Sequence, residues 1–123
     1  MNKYDEILNT KIVKEQINEA MEKSKGGKEH GFYICLNGED ITATEIVDGN
    51  SNSITMENTC PGVKIGSFHV HPMSEIVYPS PKDFANINEN DGEKFLCIGA
   101  NVNGGNGTRK VVQCFDREDS VIL

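Results

Sequence analysis

The stretch Gly66-Ser-Phe-His-Val-His-Pro-Met-Ser-Glu-Ile-Val-Tyr-Pro-Ser-Pro-Lys-Asp-Phe84 decides how the chain is read. It carries two of the three histidines, His69 and His71, one residue apart, with Asp83 twelve positions after the second. Val63 to His71 is apolar or β-favouring almost throughout and stops at Pro72, so it predicts a largely buried strand. Side chains alternate along a strand, which puts His69 and His71 on one face. Two imidazoles so placed can reach one ion at roughly 2 Å from each nitrogen. Ser80-Pro81-Lys82-Asp83 then starts a helix, with Ser80 at the N-cap, Pro81 at the first helical position and Asp83 in the first turn. On residue types alone two readings stay open. Asp83 completes a two-histidine, one-carboxylate metal set, or Ser80 and Asp83 only cap a helix.

The rest of the chain reads outward from this strand as α+β. Val13, Ile17, Ala20 and Met21 form an apolar stripe at helical spacing within Lys11 to Lys25, and Gly26-Gly27 ends it. Gly31-Phe-Tyr-Ile-Cys-Leu-Asn-Gly38 predicts a strand and turn, followed by a strand over Ile41 to Val47 that pairs back. Ser53-Ile-Thr-Met-Glu57 predicts a short strand, Phe95 to Ala100 and Arg109 to Phe115 two more, and Asn101 to Thr108 a loop. The order helix, strands, helix, strands in 123 residues predicts a single domain, 1–123, with a mixed sheet.

A formal charge of −7 with no basic block argues against nucleic acid and anionic membrane as partners. Cys35, Cys60, Cys97 and Cys114 form no CxxC pair, which excludes zinc-ribbon and thioredoxin-type arrangements. The opening residues carry no apolar signal core, and no run of 18 apolar residues occurs. A cytoplasmic location with four reduced, buried thiols is the expectation.

His-Val-His-Pro followed by Pro-Ser-Pro-Lys-Asp resembles the signature of the JAMM (MPN+, Mov34/JAB) metalloprotease domains, compact prokaryotic or archaeal type: His-x-His-Pro, then Ser-x-x-Asp, with a glutamate well upstream. Glu29, ahead of the Gly-led apolar run, stands where the family has that glutamate, and the helix before it also matches. The resemblance spans Ile7 to Gln113 and is most specific over Gly66 to Asp83. Two departures stand out. The interval from the second histidine to the serine is one residue longer than usual, which a loop absorbs, and only 39 residues separate Glu29 from His69.

The resemblance implies a cytidine-deaminase-like JAB/MPN fold, a mixed sheet flanked by the N-terminal helix and a helix after the metal motif. It implies Zn²⁺ held by His69, His71 and Asp83. Glu29 would be the general base and Ser80 the oxyanion donor, in hydrolysis of a peptide or isopeptide bond. A protein or peptide substrate is implied, with the Gly-Gly tail of a ubiquitin-like or sulfur-carrier protein as the family analogy. Without the family, Glu29 reads as a solvated loop carboxylate, with Glu39 and Glu45 as rivals. His30 reads as a surface or strand-edge histidine next to the base, and Glu75 and Tyr78 read as loop residues beside the site. Two other readings compete: a scaffold or binding module of the same fold, and a cupin-type barrel in which Glu75 follows His71. The cupin reading lacks a later histidine.

Overall fold

The computed structural model describes residues 4–51, 53–71, 93–104 and 107–116. A short helix α1 (Asp5–Leu8) precedes helix α2 (Lys11–Lys23), which tightens into a 3₁₀ turn over Ser24–Gly26. Gly27 then takes φ 95°, the left-handed conformation that ends a helix without a Cβ penalty. The strands are β1 (His30–Asn37), β2 (Asp40–Ala43), β3 (Val47–Asp48), β4 (Val63–Val70), β5 (Phe95–Gly104) and β6 (Gly107–Asp116). Among the described residues they form one mixed sheet in the order β2-β1-β4-β5-β6, with β3 also paired to β1. Only β4 and β5 run parallel. The expected α+β class and mixed sheet are therefore present.

Alternation sorts the sheet into two unlike faces. Phe32, Ile34, Phe68, Val70, Phe95 and Cys97 share one face, and Val13, Ile17, Ala20 and Met21 of α2 pack onto it as the main core. Each large aliphatic or aromatic side chain buried there contributes about 1.5–3 kcal/mol. The opposite face carries Gly31, Tyr33, Ser67 and His69, with Leu96, Ile98 and Phe115 as a smaller apolar cluster. One irregularity shifts the alternation at the start of β4: Ile34 pairs with Gly66 but Cys35 pairs with Lys64, so Ile65 is an extra residue.

Several expectations need correction. Ile41 to Val47 is not one strand but two short ones, broken at Thr44, whose Oγ accepts the Tyr33 N–H and whose carbonyl accepts from Gln16 Nε2 of α2. Ser53 to Glu57 is irregular rather than a strand, with Ile54 and Met56 turned partly inward. The Asn and Gly content of Asn101 to Thr108 predicts a loop. Instead β5 continues to Gly104 and β6 begins at Gly107, because cross-strand pairing of a long hairpin outweighs weak local propensity. The thiols also differ. Cys35–Cys60 and Cys97–Cys114 are disulfides, the second joining directly opposed residues of β5 and β6. The helix expected after the metal motif falls outside the described residues. No described helix is long and apolar enough to cross a membrane.

Candidate metal centre

β4 delivers the histidines as its alternation requires. His69 is its penultimate residue and His71 lies just past its end, where the His71 N–H donates to the Gly99 carbonyl and prolongs the parallel pairing. Their Nε2 atoms face each other at 3.2 Å. Two imidazole nitrogens that both bind one zinc ion at the usual lengths stand roughly 3.3 Å apart in tetrahedral geometry, so this spacing fits a shared ion. His69 is buried and His71 half-buried.

Glu29, the residue just before β1, comes to the same point. The antiparallel register sets Gly31 opposite His69, and two residues back along β1 brings Glu29 level with His71. Its Oε1 lies 4.0 Å from His69 Nε2, and the three donor atoms of Glu29, His69 and His71 all fall within 4.8 Å of one another. The carboxylate is 6 % exposed, so the solvated-loop reading does not apply to it. The 4.0 Å separation exceeds a tetrahedral ligand edge. Glu29 thus stands beside the imidazole pair, within reach of the same centre. Hard carboxylate and borderline imidazole donors are the set that zinc and similar divalent ions take. Glu39 and Glu45 are exposed and stand outside this cluster. Ser80 and Asp83, expected as oxyanion donor and third ligand, lie outside the described residues, as do Glu75 and Tyr78.

Gly31 makes the close approach workable. A Cβ there would stand 2.5 Å from the Phe68 carbonyl oxygen, 2.9 Å from His69 Cβ and 3.1 Å from Met56 Sδ. Gly31→Ala should therefore push β1 from β4 next to the first histidine. The expected cost is about 1–3 kcal/mol of stability, together with weaker metal retention. Denaturant unfolding and metal content after dialysis measure the two. Unchanged values for both would refute this account of the glycine.

Residue types alone did not flag a second polar group on this face. Ser67 Oγ donates to Glu93 Oε1 at 2.6 Å, and Lys64 Nζ stands 3.7 Å from Glu93 Oε2 and 4.5 Å above the Tyr33 ring. Glu93 is 2 % exposed, and these partners answer both of its carboxylate oxygens inside the protein. Burial, and then the negative charge of Glu93, hold the Tyr33 phenol above its ordinary pKa. The extra residue at Ile65 is what turns Lys64 toward this face, a feature that no local pattern announces.

His30, expected at the surface or at a strand edge, is the first residue of β1 and is not at the surface. It is buried on the helix face, with Nδ1 3.0 Å from Ser24 Oγ and 3.1 Å from the Lys28 carbonyl oxygen, and Nε2 3.1 Å from Asp48 Oδ1. Comparison of the chain with family models, with curated proteins and with solved structures found no match.

Proposed function

We propose that the chain is a zinc-dependent peptidase or isopeptidase of the JAMM type, with the JAB/MPN fold. The observation that carries this reading is a buried carboxylate, Glu29, held just ahead of β1 and 4.0 Å from an imidazole whose neighbour faces it at 3.2 Å. A scaffold has no use for a base held beside a ligand pair. A cupin-type site would need a further histidine from a later strand, and the sequence has none after His71.

In this reading His69 and His71 hold the ion through Nε2, with Asp83 as the third ligand. Bound zinc supplies a Lewis acid and an acidified water at neutral pH. Glu29 would accept the water's proton at Oε1 and return it to the leaving amine, a role open to a carboxylate that stands beside the imidazole pair. Ser80 donates a hydrogen bond to the oxygen that gains charge as the amide is attacked. The substrate is a peptide or an isopeptide-linked protein, with the Gly-Gly tail of a ubiquitin-like or sulfur-carrier protein as the class to test first. Nucleic acid and membrane are not partners in this reading, given the net charge of −7. The location proposed is the cytoplasm, where the two disulfides would stand open for much of the protein's life.

Purified protein should cleave a linear or isopeptide-linked ubiquitin-like fusion, and a chelator should abolish cleavage until zinc is restored. Cleavage that persists through chelation would rule out the metal, and a metal-loaded protein inert on every such fusion would favour the scaffold.

A further inference from the structure

Glu29 has an unpromising position for a group that must be held still. It follows Gly26-Gly27-Lys28, a turn with Gly27 at φ 95°, and precedes the first residue of β1. The chain on its N-terminal side therefore offers little constraint. Among the described residues its backbone is bonded to one loop: the Glu29 N–H donates to the Asn50 carbonyl and its own carbonyl accepts from the Gly49 N–H, both at 2.7 Å. That loop is joined to the sheet by β3, which has only two residues.

The imidazole of His30 ties these weak parts together. Its Nδ1 meets Ser24 Oγ at the end of α2 and the Lys28 carbonyl just before Glu29, and its Nε2 meets Asp48 of β3, its register partner. Helix end, turn and loop thus converge on one buried ring. His30 and Glu29 are consecutive, so they project to opposite faces of β1. The ring grips the strand from the helix side while the carboxylate faces the histidine pair.

We infer that His30 is a positioning residue, which fixes the Glu29 carboxylate beside the His69–His71 pair by locking the Ser24, Lys28 and Asp48 segments around it. This rests on the reading of Glu29 given under the proposed function. It predicts more than a loss of stability. Slack at Glu29 changes the surroundings of the ion without changing its ligands, and a displacement of about 1 Å at a reacting group can cost on the order of 100-fold in rate.

The test uses the full chain loaded with Co²⁺, whose visible absorption reports the surroundings of the ion without any substrate. The variants are Glu29→Gln, His30→Ala, His30→Gln and Asp48→Ala. Asp48 is 73 % exposed, so its variant keeps the fold even if His30→Ala does not. Expected is one Co²⁺ per chain throughout, with a changed spectrum in Glu29→Gln that is reproduced in part by His30→Ala and Asp48→Ala. His30→Gln, which can still donate to Asp48, should recover most of the wild-type spectrum. On a cleavable fusion, His30→Ala should lower kcat about tenfold with KM within twofold. A changed spectrum in Glu29→Gln with wild-type spectra in His30→Ala and Asp48→Ala would overturn this inference alone. No change in Glu29→Gln would overturn the placement of Glu29 beside the ion, and this inference with it.

Discussion

Glu29→Gln is expected to keep one zinc per chain and to lose amide hydrolysis by about 10²- to 10⁴-fold, the usual contribution of a positioned base. The amide has the shape of the carboxylate and fills the same buried space, but it cannot take up a proton. His71→Ala should behave differently. It removes one of the two nitrogens that face each other at 3.2 Å, so it should lose the metal and the activity together. Metal content by elemental analysis and hydrolysis of a ubiquitin-like fusion, measured on both variants, separate the roles. Loss of zinc in Glu29→Gln would move Glu29 into the ligand set and remove it as the base. Zinc retained in His71→Ala would end the metal reading of the pair.

The second large effect concerns stability. Cys35–Cys60 closes 25 residues of chain and Cys97–Cys114 closes 17. In the loop-entropy account each link stabilises by about 3 kcal/mol, against a total of about 5–15 kcal/mol for a domain of ordinary stability. Reduction of both should therefore lower the melting temperature by more than 10 °C, since about 1 kcal/mol moves a domain of this size by roughly 4–8 °C. Calorimetry with and without a dithiol reductant tests this, and coincident melting curves would show that the links carry no such weight. Alkylation of thiols trapped directly from cells bears on location. Four labelled cysteines fit the proposed cytoplasm, and none labelled would place the protein in an oxidising compartment.

Much of the centre was legible because it depends on short-range geometry. Alternation alone put His69 and His71 on one face, and the structure has them there. The helical stripe Val13, Ile17, Ala20, Met21 marked the side that packs on the sheet, and all four residues are buried. Glu29 was another matter. Its place beside the histidines depends on the pairing of β1 with β4, strands separated by 25 residues, and periodicity contains no such long-range information. Only the family resemblance singled it out from Glu39 and Glu45. The burial of His30 and of Glu93 was missed for the same reason: their partners Asp48, Ser67 and Lys64 become neighbours through the sheet. Composition misled at Asn101 to Thr108, where asparagine and glycine sit within a long hairpin, and at the cysteines, which pair with no motif to announce it.

The supernumerary residue in β4 lets Lys64 and Gly66, two positions apart, point to opposite sides of the sheet. Lys64 stands opposite Cys35 and Gly66 opposite Ile34, so loss of Ile65 would restore plain alternation and leave His69 and Phe68 on the sides they hold now. A ladder that kept Ile65 in regular pairing would instead set Lys64 opposite Leu36 and swing its ammonium group under α2, away from Glu93 and Tyr33. The bulge thus uncouples the aim of the upstream end of the strand from that of the end that carries the histidines.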